Sequence, residues 1–158
     1  MSITWNLIPS ATRHRYVYFI LSKFSFFVIS PFSFLLRFIH QERQDAVSEL
    51  VEKADEYDLD FILVVGGWDS SNTAHLLEIP HFKGVRSFHI NRAECIGADN
   101  TITHRTVEGE IVTEPFLLDI EKDVTMGVTS GASTPDAAVQ DSLSQIFLLK
   151  KVQNEKKE

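Results

Sequence analysis

The feature that most restricts the fold of this chain is the apolar run FILVV at residues 61–65, which is followed by two glycines. Its side chains do not alternate between polar and apolar, a pattern typical of a strand buried on both faces of a parallel sheet. The preceding segment, 41–57, predicts an amphipathic helix with apolar positions at helical spacing: Val47, Leu50, Val51 and Ala54. The following segment, SSNTAHLLEI, predicts a second helix. This order of helix, strand and helix predicts an α/β domain.

The rest of the chain continues the alternation of strands and helices. VRSFHI and DVTMGVTS predict two more strands, and GEIVTE predicts a short edge strand within the less regular region 91–122. A last helix follows, with Thr134 as its cap and Pro135 at its first position. Its predicted buried stripe is formed by Val139, Leu143, Ile146 and Phe147. We therefore expect a single α/β domain in which helices flank a mainly parallel sheet.

Two turns that lead from a strand into a helix are rich in small polar side chains. The first contains Ser70, Ser71 and Asn72, and the second contains Ser133. Because such turns lie at the carboxyl edge of a parallel sheet, both should lie on the same side of the domain. A helix N-terminus offers unpaired N–H groups and a partial positive charge, and glycines in both turns let the backbone approach a ligand. The sequence thus predicts an anion site built from neutral donors.

The same residues also have a purely local explanation. Serine, threonine and asparagine are frequent helix caps, so one such turn is more often structural than functional. Neither turn contains the phosphate-binding pattern GxxxxGK[ST], and the sequence lacks the dinucleotide fingerprint GxGxxG. The six histidines fit no standard zinc spacing. We expect His75 to be a surface or packing residue, and Asp69 to orient or cap the first turn.

Charge and cysteine content argue against some partners. The formal net charge is −7, and every acidic residue lies after position 40. An acidic body argues against nucleic acid as a partner, since phosphate backbones are bound by excess Lys and Arg. The single cysteine, Cys95, permits no disulfide within one chain. An iron–sulfur cluster needs several thiolates, so this chain alone cannot ligate a standard cluster, and we expect Cys95 to be an ordinary thiol in a loop.

The first forty residues differ in kind from the rest. Residues 1–40 are rich in Phe, Ser and Ile, and Lys23 and Pro31 fall within their apolar stretch. The run from Phe24 to Leu36 is shorter than the roughly 20 residues that span a bilayer. Three interpretations remain open: a poor membrane anchor, a targeting peptide, or translated sequence joined to the domain by a wrong gene model. We favour the third, so that we expect no membrane partner and assign the α/β domain to residues 41–158.

Several motifs occur together in the order and spacing of a known family. RQDAVSELVEKAD is followed by ILVVGGWDSSNTAHL, then by IG-x-x-N at 96–100, GEIV at 109–112 and GVTSGASTPD at 127–136. From about Gln41 to about Phe147, the chain resembles the C-terminal third of the 4-hydroxy-3-methylbut-2-enyl diphosphate reductases, the LytB or IspH family of the non-mevalonate isoprenoid pathway. The GGW form of the first motif resembles the plant and cyanobacterial branch.

The resemblance implies a fold of three similar α/β domains around a central 4Fe–4S cluster, with this chain as the third domain. It implies an oxidoreductase that removes the 4-hydroxyl of an allylic diphosphate to form isopentenyl and dimethylallyl diphosphates, with electrons from a ferredoxin or flavodoxin-type donor. The Ser-Ser-Asn motif and the serine of the GAS motif would hold the diphosphate; these are Ser70, Ser71, Asn72 and Ser133 here. The plant-like motif implies the chloroplast stroma for a plant or algal source, and the cytoplasm otherwise.

The departures from the family pattern concern catalysis. The first two family domains are absent, and with them two cluster cysteines, the diphosphate-binding histidines and the proton-relaying glutamate. Arg37 stands in place of the third cluster cysteine, and His40 in place of a threonine near the diphosphate. The resemblance therefore implies a fragment without catalytic residues or metal ligands of its own, inactive alone. The alternatives are a non-catalytic phosphate- or diphosphate-binding module, tethered to a membrane by residues 1–40, and a decayed remnant without function.

Overall fold

The computed structural model describes residues 18–20, 43–118 and 124–155. In chain order, the elements are β1 (Tyr18–Ile20), α1 (residues 43–52), β2 (Phe61–Val65), α2 (Ser71–Phe82), β3 (Ser87–Ile90), a 3-10 turn (Ala93–Cys95), β4 (Thr101–Arg105), β5 (Ile111–Pro115), β6 (Met126–Ser130) and α3 (Asp136–Glu155). The strands form a six-stranded sheet in the order β1-β6-β2-β3-β4-β5.

One half of the sheet is parallel. β6 lies between β1 and β2 and is parallel to both, and β2 is also parallel to β3. Every residue of β2 is buried, as its unbroken apolar run predicts. The strands predicted from FILVV, VRSFHI and DVTMGVTS are therefore confirmed, and so is the α/β fold class.

The other half of the sheet is antiparallel, which makes the whole sheet mixed. β4 pairs with β3 and with β5 in antiparallel fashion. β5 confirms the edge strand expected from GEIVTE, whereas β4 was not predicted. The sequence signal for β4 was weak, because the strand has only five residues. Burial alternates along it, with Ile102 and His104 pointing inward. Gly109, at a φ of 92°, lies in the turn between the two strands, where a left-handed conformation suits glycine.

Two hydrophobic cores lie on opposite faces of the sheet. On one face, α1 and α2 pack their apolar residues against Ile62 and Val64 of β2. On the other face, α3 contributes Ile146 and Leu149 to a larger core that contains Phe61 and Leu63. Because a strand points successive side chains to opposite faces, β2 supplies both cores and forms the centre of the domain.

The ends and faces of two helices differ from the prediction. In α1 the helix ends at residue 52 rather than 57, and the chain turns through Asp58, whose φ is 51°. Ala54 therefore lies in the turn and is only half-buried. In α3, Phe147 is 37% exposed, and Leu149 is buried in its place. Ile146 and Leu149 are three residues apart and share a helix face, whereas Phe147 is rotated about 100° from Ile146.

Residues 1–40 lie outside the described residues except for strand β1, so the interpretation of this segment and the domain boundary at residue 41 stay predictions. Arg37 and His40 also lie outside the described residues. Within the part of the chain that the structure describes, no helix combines the length and apolar content needed to cross a bilayer.

Candidate functional site

The two serine-rich turns lie side by side at the carboxyl edge of the sheet. They follow β2 and β6, which are neighbouring parallel strands whose last residues, Val65 and Ser130, are paired. The N–H of Gly131 donates to the carbonyl of Val65 at 3.0 Å, and the hydroxyl of Thr134 donates to the same carbonyl at 3.2 Å. Both turns are therefore attached to one backbone position.

The first turn presents its polar side chains at the start of α2. Ser70 is the N-cap, with extended backbone angles, and its hydroxyl accepts from the N–H of Thr73 at 3.3 Å. Ser71 is exposed, and Asn72 is half-buried. The Nδ2 atom of Asn72 is itself buried and has no hydrogen-bond partner among the described residues. Of the two roles expected for Asp69, the cap is wrong, since Ser70 has it, and a role in orienting the first turn stays a prediction.

The glycines of the two turns both pack against one buried side chain, that of Thr73. Thr73 has no exposed surface, and a Cβ atom added to Gly66 or to Gly131 would lie 2.7 Å or 2.5 Å from its Oγ1. Thr134 Oγ1 would lie 2.9 Å and 3.1 Å from the same two Cβ positions. Only glycine permits this approach at both positions. The relative position of the two turns is therefore fixed by close packing as well as by hydrogen bonds.

The second turn opens α3 without the cap that the sequence predicts. α3 begins at Asp136, and the Thr134 hydroxyl, expected to cap it, donates to Val65 of the neighbouring strand. Ser133 is exposed. The carboxylate of Asp136 lies in the first turn of the helix, where the partial positive charge of the N-terminus stabilises it.

Unpaired polar atoms concentrate at the first turn. Among the described residues, seven buried side-chain nitrogen or oxygen atoms lack a hydrogen-bond partner, and three of them belong to Trp68, Asn72 and Thr73. A fourth is Nδ1 of His89, whose Nε2 lies 2.9 Å from the carbonyl of Gly66. Leaving such a group unpaired costs about 1–3 kcal/mol. A bound ligand or ordered water is the usual explanation for a cluster of this kind.

His89 is a component of this edge that sequence reasoning missed. It lies on β3, is fully buried and supports the backbone of the first turn through Gly66. Because a carbonyl oxygen can only accept, Nε2 carries the proton. Burial lowers the pKa of His89, and the charge of Arg105 lowers it further, against the opposing effect of the hydrogen bond to Gly66. The sequence signal for a role of His89 was its position between two apolar residues in the strand VRSFHI.

Arg43 is the second component that was missed, and it brings a positive charge to an edge expected to be neutral. Its Nη1 donates to the backbone carbonyl and, at 3.0 Å, to the hydroxyl of Ser130, the last residue of β6. The two residues are 87 positions apart in sequence, so no local pattern could have predicted the contact.

His75 does not belong to the site. Its ring is exposed and lies 2.9 Å from the carboxylate of Glu78 on the same helix, which confirms the prediction of a surface residue. Ser70, Ser71, Asn72 and Ser133 lie on the two adjacent turns, as expected; whether they bind a ligand stays a prediction.

The side chains of this chain do not fit an iron–sulfur cluster. Cys95 is the single cysteine of the sequence; it is buried in the α3-side core, and its thiol donates to Asn91 Oδ1 at 3.2 Å. Within the described residues, no group of three or more His, Cys, Asp or Glu side chains could hold a metal ion. A cluster therefore finds no ligand set here, and no step of a reaction is assigned to one.

The fold and its edge define a class: an α/β domain in which neighbouring strands lead into helix N-termini that can bind an anion. The LytB protein family model matches residues 39–147, more than half of the chain, and the chain belongs to this family.

Three relatives each resemble about two thirds of the chain. A chloroplastic 4-hydroxy-3-methylbut-2-enyl diphosphate reductase from Botryococcus braunii is 54% identical over 111 residues, 68% of this chain and 22% of the relative. The reductase of a Picosynechococcus strain is 47% identical over 68% of this chain and 25% of the relative. That of a Nostoc strain is 47% identical over 70% and 26%. The chain thus spans about a quarter of the length of these relatives.

A solved structure of (E)-4-hydroxy-3-methyl-but-2-enyl diphosphate reductase, the terminal enzyme of the non-mevalonate pathway, is also similar. It covers 69% of this chain and 30% of its own length, with 23% identity and a TM-score of 0.47.

Proposed function

We propose that residues 41–158 form the domain of a 4-hydroxy-3-methylbut-2-enyl diphosphate reductase that holds the diphosphate of the substrate. Ser70, Ser71 and Asn72 on the first turn and Ser133 on the second turn donate to the phosphoryl oxygens. The observation that carries the proposal is the buried, unpartnered Nδ2 of Asn72 at the start of α2. An amide N–H left unpaired in the protein becomes a donor to a charged oxygen in the complex.

The pairing of two turns suits a diphosphate better than a single phosphate. Each turn precedes its own helix, so each phosphoryl group can meet one partial positive charge and one set of N–H donors. The shared attachment to Val65 keeps the turns at a fixed separation before the ligand arrives. Less ordering is then required on binding, which favours affinity.

The reduction itself is assigned to the complete enzyme and not to these residues. In the complete enzyme a 4Fe–4S cluster would supply the electrons, and a ferredoxin or flavodoxin-type donor would deliver them. The chain contains one cysteine, so we expect it to bind the substrate's diphosphate without reducing it. The name of the Botryococcus relative supports a chloroplast location for this protein too.

Calorimetric titration of the 158-residue chain with inorganic pyrophosphate tests the proposal. Replacing Asn72 or Ser133 with Ala removes a donor to a charged group, worth about 1.5–3 kcal/mol, and should raise Kd at least tenfold. The matched control is Ser144→Ala: this exposed serine lies within α3, after the second turn, and its hydroxyl donates to the carbonyl of Gln140, so the Kd of this variant should stay unchanged. Inorganic phosphate should bind more weakly than pyrophosphate.

The outcomes separate the candidate functions. If the chain does not bind pyrophosphate, or if neither Asn72→Ala nor Ser133→Ala alters Kd, the site assignment is wrong. The lone cysteine also favours a second candidate, a binding module that works without iron. Both candidates predict that a chain purified free of iron binds pyrophosphate. Only the reductase candidate predicts electron transfer to the substrate after the remaining reductase domains are added.

A further inference from the structure

Arg43 lies at the carboxyl edge of the sheet although it belongs to α1 and neither serine-rich turn contains it. Its guanidinium donates to the carbonyl and the hydroxyl of Ser130. Ser130 is immediately followed by Gly131 and the second turn, and it is paired across the sheet with Val65, from which the first turn departs. The guanidinium is therefore placed where the two turns begin.

Among the described residues, the groups near this cation account for only part of its position. The groups it contacts on Ser130 are neutral, and burial lowers the pKa of Arg43 against the opposing charge of Asp136. Withdrawing a guanidinium from water costs free energy unless an opposite charge compensates it. The Asp136 carboxylate supplies part of this compensation, from the first turn of α3.

We propose that Arg43 is the charged residue of the anion site and that it pairs with the diphosphate at the junction of the two turns. The inference rests on the proposed function and adds to it the one ionic contact that the neutral donors cannot provide. A guanidinium has five N–H donors. The two bonds to Ser130 are made by Nη1, and among the described residues Nη2 and Nε form no hydrogen bond that would compete with a ligand.

A structural role alone would have different consequences. If Arg43 only fastens α1 to β6, its replacement lowers stability but leaves the affinity for an anion, and the response of that affinity to salt, as they were. If it pairs with the diphosphate, its replacement weakens binding and reduces the salt dependence, because one screened charge pair is lost. Affinity and its salt response therefore distinguish the two roles.

The experiment titrates the full chain with inorganic pyrophosphate at low and high salt, with Arg43→Gln, Arg43→Lys and Lys53→Gln as variants. Arg43→Gln should raise Kd at least tenfold and flatten the salt dependence. Arg43→Lys should keep the salt dependence but lose affinity, since an ammonium cannot reproduce the planar fork. Lys53→Gln removes the same charge from an exposed residue paired with Glu49, and its Kd should change less than twofold.

A second measurement uses the unaltered protein and applies even if Arg43→Gln does not fold. Phenylglyoxal modification is followed residue by residue by mass spectrometry, with and without pyrophosphate. Pyrophosphate should slow modification of Arg43 at least fivefold and leave that of the exposed Arg92 unchanged. Equal slowing at both arginines, or none at Arg43, overturns the proposal.

The results also separate this inference from the function on which it rests. If pyrophosphate binds and Asn72→Ala weakens it while Arg43→Gln does not, Arg43 is structural and the proposed site stands. If Arg43→Gln weakens binding but Asn72→Ala does not, the anion lies at the arginine and not on the two turns. Absence of any binding refutes both.

Discussion

Adding one methyl group to the first turn should have opposite effects at two adjacent positions. A Cβ atom at Gly66 would lie 2.7 Å from Thr73 Oγ1, 2.9 Å from Thr134 Oγ1 and 3.0 Å from Thr73 Cγ2. A Cβ atom at Gly67 would meet no heavy atom of the described residues within 4 Å. Neither glycine has a positive φ. The two substitutions to Ala therefore differ in local space and not in backbone strain.

The surroundings of Gly66 leave little room for relief. Its N–H donates to the carbonyl of Ile90 at 2.9 Å, and its own carbonyl is held by His89 Nε2 at 2.9 Å. Rotation of Thr73 cannot remove the clash, since both its Oγ1 and its Cγ2 are close. Overpacking of this kind costs about 1–3 kcal/mol. Gly67→Ala should instead stabilise by about 0.4–1 kcal/mol, because it reduces the conformational freedom of the unfolded chain.

Urea unfolding followed by circular dichroism measures both free energies of unfolding. We expect Gly67→Ala to exceed Gly66→Ala in stability by about 1.5–4 kcal/mol, the sum of the two effects. A double-mutant cycle with Thr73→Ala identifies the cause: removing both Thr73 atoms should recover at least about 1 kcal/mol of the Gly66→Ala loss. Thr134 remains close, so we expect the recovery to be partial.

Two results would refute this reasoning. Equal stability of the two glycine variants, within about 0.5 kcal/mol, would mean that the turn yields and that the two turns are not fixed by close packing. A loss at Gly66 with no coupling to Thr73→Ala would mean that another contact limits the space at this position.

Three further predictions concern stability. Burial lowers the pKa of His89, so the contribution of His89 to stability is complete above the unfolded pKa of about 6.5 and is lost as the pH falls from there towards the folded pKa. The free energy of unfolding should decrease over this pH range. The decrease should be smaller in His89→Gln than in a control variant at the exposed His81. Replacing Ser70 with Ala removes the cap of α2 and should cost about 0.5–2 kcal/mol in urea unfolding. Asn100 binds the N–H and the carbonyl of Leu117 at 3.0 Å and 2.9 Å, so Asn100→Ala should lower the free energy of unfolding by about 2 kcal/mol; an unchanged thermal midpoint would contradict this.

The parts of the fold that could be predicted are those whose signal is local. The unbroken apolar run of β2 and the glycines after it identify a buried strand and its exit turn. Because β2 and β6 are both strands that lead into helices, the rule for parallel sheets places their turns at one edge, and the pairing of Val65 with Ser130 bears this out. β4 was missed because its alternating pattern is only five residues long and contains a histidine and an arginine.

The charged and buried components of the site could not be predicted, for a different reason. Arg43 reaches Ser130 across 87 residues, and His89 reaches Gly66 across 23. Contacts of this kind depend on the order of strands in the sheet and on the length of a side chain. Neither the order of the strands nor the contact that a long side chain makes can be predicted from the sequence alone. The expectation of neutral donors came from the two turns taken alone, and the contact of Arg43 with Ser130 adds a positive charge at the end of β6.

The proposed function separates binding of the diphosphate from reduction, and the groups found in this domain agree with that separation. It has two helix starts joined at Val65, a cation held at their junction by Ser130, and unpaired donors beside them. Its one thiol, at Cys95, is directed into the core and already bonded. An allylic diphosphate has a charged end and a reacting end several bonds apart, so separate groups of residues can serve the two ends. Under the proposed function, preorganised donors act on the charged end whatever happens at the other, so the affinity for pyrophosphate should persist without iron, while reduction is left to the complete reductase.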